Sequence, residues 1–148
     1  MKPISLFVGT VFGQAEQVAH KVSDYLKQHD FEVYLFNPGS VEDIKNAEII
    51  LICTSTTGSG DIPTDLEDVY YEMKQVFPLL SEIQYGIITL GDSSYGDTYC
   101  GSGVKFDELL TELGAKKILE PLKIDACETA HPEQSALDWL PTFIDHVQ

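Results

Sequence analysis

The sequence predicts a doubly wound α/β protein: a five-stranded parallel sheet of order 2-1-3-4-5 with helices on both faces. Three observations lead there. Short apolar runs alternate with longer segments of helical period, in the order βαβ(x)βαβαβα. Several of those runs are almost continuously apolar, as strands buried on both faces require. Loops of small and polar residues follow the first, third and fourth runs, where an open α/β sheet keeps its ligand.

The elements follow in order. Ile4–Val8 is apolar except at Ser5 and reads as the first strand. Ala15, Val18, Ala19, Val22 and Leu26 then recur at helical spacing. Phe31–Phe36 alternates and reads as a second strand, and Val41–Ala47 as a polar connection or a short helical turn. Ile49–Cys53 is a third strand. Asp65–Val76 is a helix with Leu66, Val69, Tyr70 and Met73 on one face. Pro63 stands near its start, with Thr64 or Asp65 as candidate caps. Gly86–Leu90 is a fourth strand, and Val104–Leu113 a helix that Gly114 ends. Lys117–Ile124 is a fifth strand. Glu133–Val147 is a final helix in which Pro141 predicts a kink or a break.

The length of 148 residues suits one domain over 1–148, with enough chain to bury a core. No apolar run approaches the roughly 20 residues that span a bilayer. The stretch after Met1-Lys2-Pro3 is too short for a secretion signal. Cys53, Cys100 and Cys127 form no C-x-x-C pair, which argues against a disulfide framework and a zinc site and suits a reducing cytoplasm. Twenty-four acidic residues against nine lysines, with no arginine, leave a formal charge of −15. A nucleic-acid binder needs a basic footprint, and none is present. An acidic surface suits docking to basic partners, or serves solubility alone; composition leaves both open.

Three loops carry the candidate site. Gly9-Thr10-Val11-Phe12-Gly13-Gln14-Ala15-Glu16 turns from the first strand into a helix, and free backbone N–H groups at a helix N-terminus bind anions. It lacks the lysine of a Walker loop and the second glycine of the dinucleotide fingerprint. Thr54-Ser55-Thr56-Thr57-Gly58-Ser59-Gly60-Asp61-Ile62-Pro63 follows the third strand with a run of small residues, which lets backbone approach a flat ligand closely. Gly91-Asp92-Ser93-Ser94-Tyr95-Gly96-Asp97-Thr98-Tyr99-Cys100-Gly101 follows the fourth strand. Its aromatics can cover a planar ring, and Asp92 can accept from a ring N–H. Each loop alone also reads as an ordinary turn.

Together these residues resemble the flavodoxin family, short-chain type, over essentially the whole chain. Thr56-Thr57-Gly58-Ser59-Gly60-Asp61-Ile62-Pro63 is similar to the family's T-x-G-x-G-D-x-P loop, and Gly91-Asp92-Ser93-Ser94-Tyr95 through Tyr99-Cys100-Gly101 to its G-D-S-S-Y…F-C-G loop. The first loop has the G-[ST]-x-x-G-x-A-E form of the MioC-type bacterial members. The resemblance implies one FMN and a low-potential electron carrier, not a stand-alone catalyst. It implies that Thr10, Val11, Phe12, Gly13, Gln14 and Ala15 wrap the phosphate. Ser55, Thr56, Thr57 and Gly58 would lie along one face and edge of the ring, and Gly58 would tune the potential through a peptide flip. Tyr95 would stack on the other face, Asp92 and the backbone near Cys100 would meet the pyrimidine edge, and Gly91 and Tyr99 are further cofactor-binding candidates. The implied partners are a flavin reductase and redox acceptors with basic docking faces; a monomer is expected, without nucleic acid, membrane or metal.

Two departures bear on affinity. Phe12 and Ala15 replace hydroxyl residues of many members, so the phosphate grip falls to backbone N–H groups, Thr10 and Gln14. Thr57 stands where many members place Trp or Tyr, and a stacked ring contributes roughly 1–3 kcal/mol by analogy with nucleic-acid platforms. FMN binding is therefore expected to be weaker than in members with two stacking aromatics. The alternative is a flavodoxin-like module that binds a protein partner with weak or no FMN. A response-regulator receiver would want an acidic pocket after the first strand and an aspartate after the third, where Gly9-Thr10 and Thr54-Ser55 stand. A cysteine phosphatase using Cys53 would want an arginine.

Overall fold

The structure is a computed structural model and describes residues 2–57, 60–126 and 128–148. Its elements are β1 (Ile4–Gly9), α1 (Gln14–Gln28), β2 (Val33–Phe36), α2 (Val41–Lys45), β3 (Ile49–Thr54), α3 (Thr64–Val76), β4 (Gln84–Gly91), α4 (Gly101–Glu112), β5 (Lys116–Lys117), β6 (Leu122–Asp125) and α5 (Pro132–His146). All pairings among these strands are parallel, in the order β2-β1-β3-β4-β5, with β6 also on β4. The predicted 2-1-3-4-5 order is therefore observed, and the β1/β3 junction is the switch point.

Alternation along the central strands divides the core. Phe7, Ile50, Ile52, Tyr85 and Ile87 point to the face covered by α2, α3 and α4, where they meet Ile44, Leu66, Met73, Phe106 and Leu110. Leu6, Val8, Leu51, Cys53, Ile88 and Leu90 point to the other face, where α1 and α5 supply Val18, Val22, Ala136, Leu140 and Phe143. Every residue of β1 and β3 is buried. This is why their sequence reads as an unbroken apolar run.

The structure corrects several boundaries. The predicted fifth strand, Lys117–Ile124, is two pieces. Lys116 and Lys117 pair with Gln84 and Tyr85, and Leu122–Asp125 pairs with Ile88–Gly91. Pro121 lies between them and has no N–H to give a ladder. The second strand begins at Val33, and Phe31 is buried ahead of it. Of the two readings of 41–47 the short helical one holds: α2 covers Val41–Lys45, with a capping box between Ser40 and Asp43. Pro141 does not break α5, which runs continuously through it with the proline ring exposed. Helix α3 starts at Thr64 after Pro63, and neither Thr64 nor Asp65 caps it with its side chain. Gly114 does end α4, at φ +91°, with Ala115 N–H donating to Leu110 O. Among the described residues, no helix is long and apolar enough to cross a membrane.

Candidate functional site

Three strand ends and their loops enclose a cavity of about 440 Å³, within the range of small-molecule sites. Thr10, Val11, Phe12 and Gln14 line it after β1, and Ser55, Thr56 and Thr57 after β3. Leu90, Gly91, Asp92, Tyr95 and Cys100 line it from β4 and its loop, with Ala126 closing the side beyond β6.

At one end is a set of open donors. Gly13 precedes α1 with φ +85° and gives no side-chain cap. The backbone N–H groups of Val11, Phe12, Gln14, Ala15 and Glu16 have no acceptor among the described residues. Thr10 is engaged differently. Its N–H donates to both carboxylate oxygens of Asp65 at 3.2 Å, and its Oγ1 accepts from Gly13 N–H at 2.9 Å. That leaves its hydroxyl proton to donate into the loop. Asp65 thus ties the loop to α3, which explains why it does not cap that helix.

The cavity is mostly apolar. The Thr57 and Asp61 backbones exchange hydrogen bonds of 2.9 and 2.8 Å, closing the loop after β3. Tyr95 lines the cavity and is half-exposed. Asp92 caps the turn that follows β4, accepting from Ser94 N–H at 2.9 Å with one carboxylate oxygen. Cys100 is buried, and its thiol donates to Thr89 O at 3.4 Å. Burial is the largest cause that raises this thiol's pKa. Burial, followed by the neighbouring Cys100, pushes the Tyr99 phenol up to about 12. Phe12 is 96 % exposed at the rim.

Most of the residues singled out from sequence therefore meet at one cavity, but not all. Ala15 is fully buried against the core and does not line the cavity. Gly13 shapes the turn without lining the cavity, and Tyr99 lies outside the lining. Gly58, Ser59 and Cys127 lie outside the described residues. Leu90 and Ala126 line the cavity without having been foreseen. Leu90 reads as strand interior, and Ala126 follows the last strand, whose end was not considered.

Unpaired backbone donors, a mostly apolar cavity and an exposed aromatic thus stand at the switch point of a parallel sheet. The sequence model of the flavodoxin family matches residues 6–139. The chain belongs to the flavodoxin family. Relatives include an uncharacterised protein of Pseudomonas aeruginosa, 39 % identical over 142 residues and 95 % of each chain. Flavodoxin YqcA of Pectobacterium carotovorum is 36 % identical, with 99 % of this chain and 98 % of that protein covered. Protein MioC of Escherichia coli is 34 % identical over 98 % of each. Among solved flavodoxin structures, a cysteine variant from Pseudomonas aeruginosa superposes with TM-score 0.90 at 37 % identity, covering 97 % of each chain. A Fusobacterium nucleatum flavodoxin bound to flavin mononucleotide shares the fold with TM-score 0.84 at 18 % identity, covering both chains fully.

Proposed function

We propose that this chain holds one FMN in the cavity at the strand ends and carries electrons at low potential from a reductase to acceptor proteins. The observation that carries the reading is the donor set of the first loop. The N–H groups of Val11, Phe12, Gln14, Ala15 and Glu16 have no acceptor among the described residues, and Val11, Phe12 and Gln14 line the cavity. These are groups a phosphate would satisfy, at the positive end of α1.

Bound FMN supplies one- and two-electron transfer. The chain's residues bind and orient it. The first loop takes the phosphate on backbone N–H groups and the Thr10 hydroxyl. Leu90, Ala126 and Cys100 keep water from the inner side of the slot. Tyr95 covers one face, while Thr57 offers the other only a short side chain. The second carboxylate oxygen of Asp92 is available to a ring N–H. Among the described residues no lysine lines the cavity; Asp92 lines it, Asp65 holds the first loop, and Asp61 closes the loop after β3 with Thr57. That field disfavours added negative charge and lowers the potential of the last electron. It also draws a basic partner toward the open rim.

The test is to load the protein with FMN, reduce it without oxygen, and mix it with oxidised cytochrome c as a basic acceptor. The expected result is rapid reoxidation that slows as salt rises. A chain that fails to bind FMN, or holds it reduced in the presence of the acceptor, overturns the reading.

A further inference from the structure

Helix α4 is capped from outside itself. Its N-cap residue, Cys100, offers no side-chain cap. Ser102 N–H instead donates to Thr56 Oγ1 at 3.4 Å, and Gly103 N–H to Thr89 Oγ1 at 3.2 Å. Ser102 Oγ also lies 2.9 Å from Thr54 Oγ1, in a buried hydroxyl pair. Gly101 completes the contact. A Cβ there would stand 2.6 Å from Gly60 Cα and 2.7 Å from Gly60 O. Both are backbone atoms and cannot swing aside as a side-chain tip would. Lys105 adds an ion pair to Asp61 at 3.5 Å, but both groups are exposed and such pairs contribute little.

The described part of the loop after β3 is therefore seated on the first turn of α4 at both ends. Thr56 and Thr57 of that loop line the cavity, whereas Gly101 and Ser102 do not. A binding wall is only as well placed as the shell behind it, to within about 0.5 Å. We infer that Gly101 and Ser102 are positioning residues, and that the first turn of α4 sets how closely Ser55, Thr56 and Thr57 approach the flavin. The inference rests on the FMN reading above and assigns a role that the cavity lining alone does not reveal.

The test compares wild type with Gly101→Ala, Ser102→Ala and Phe143→Leu. Phe143 is buried on the α1/α5 face against Gly86, away from the cavity. FMN is titrated by fluorescence quenching, and amide exchange is followed in the flavin-free protein. Gly101→Ala should raise the FMN Kd at least tenfold and Ser102→Ala at least threefold. Phe143→Leu should lower Tm but leave Kd within twofold of wild type. Without flavin, the Ser55 and Thr57 amides, hydrogen-bonded to Gly9 O and Asp61 O, should exchange faster in both α4 variants and not in Phe143→Leu. Folded α4 variants with wild-type Kd and unchanged exchange overturn the inference. Should Gly101→Ala fail to fold, Ser102→Ala, which adds no bulk, decides alone. Wild type that binds no FMN overturns the cofactor reading, and the exchange comparison still decides the positioning role.

Discussion

Replacing FMN by riboflavin isolates the contribution of the first loop, because the two ligands differ only in the phosphate. The loop offers the N–H groups of Val11, Phe12, Gln14, Ala15 and Glu16, together with the Thr10 hydroxyl. A hydrogen bond to a charged group contributes ~1.5–3 kcal/mol net. The helix terminus adds ~0.3–1 kcal/mol. Two such bonds at the lower value plus the terminus give about 3–4 kcal/mol. At 1.4 kcal/mol per decade, riboflavin should bind roughly 10²- to 10³-fold more weakly than FMN. The salt dependence has a definite sign. No lysine lines the cavity, and the chain carries a net charge of −15, so the long-range field repels the phosphate. Sodium chloride screens that field, and FMN binding should hold or tighten as salt rises, while riboflavin binding stays level. Paired fluorescence titrations at several salt concentrations measure both effects. Equal affinity for the two ligands, or a steep loss of FMN binding with salt, would refute the reasoning.

Tyr95→Ala should weaken FMN by roughly 5- to 100-fold through lost ring coverage. It should leave the Tm of the flavin-free protein nearly unchanged, since Tyr95 is 54 % exposed; flavin titration and thermal melts check both. Burial raises the Cys53 thiol from 9.0 to about 12 in the folded chain. The unfolded chain ionises first, so stability is intact below pH 9 and falls as pH climbs toward 12, by on the order of 1 kcal/mol per pH unit. Urea melts on either side of pH 9 should show the fall, and Cys53→Ala should make it shallower, with Cys100 and Tyr99 leaving a remainder of the same sign. Tyr85→Phe removes hydrogen bonds of 2.6 Å to Asp107 Oδ1 and 2.8 Å to Thr111 Oγ1. It should cost ~1–2 kcal/mol in urea denaturation, because Asp107 keeps Lys117 at 3.2 Å.

The central strands were legible because β1 and β3 are buried on both faces and their apolar runs have no competing period. The edge was less so. Lys117–Ile124 looks like one strand until Pro121 is weighed, and Ile118 N–H still reaches Tyr85 O just past β5. The start of α4 was missed for a physical reason. Gly101-Ser102-Gly103 reads as loop, and its glycines are explained by atoms distant in sequence: Gly60 backbone and the Thr89 side chain. Pro141 was overweighted, since a proline on the exposed side of a helix packed by Leu140 and Phe143 removes one hydrogen bond without ending it. In the site, backbone roles read well because glycines and a helix start announce them. Asp65 did not, because a carboxylate that reaches 55 residues back along the chain to Thr10 N–H has no local signature. Ala126 was invisible for the same reason: only the assembled sheet brings the end of β6 beside the loop after β4.

The most direct test of one FMN at the strand ends is an equilibrium titration followed by fluorescence and by amide chemical shifts. The account requires saturation at one flavin per chain. The largest shifts should fall at Val11, Phe12, Gln14, Ala15 and Glu16 and along Ser55–Thr57, Gly91 and Tyr95. Unquenched flavin, or shifts centred away from these strand ends, would contradict it.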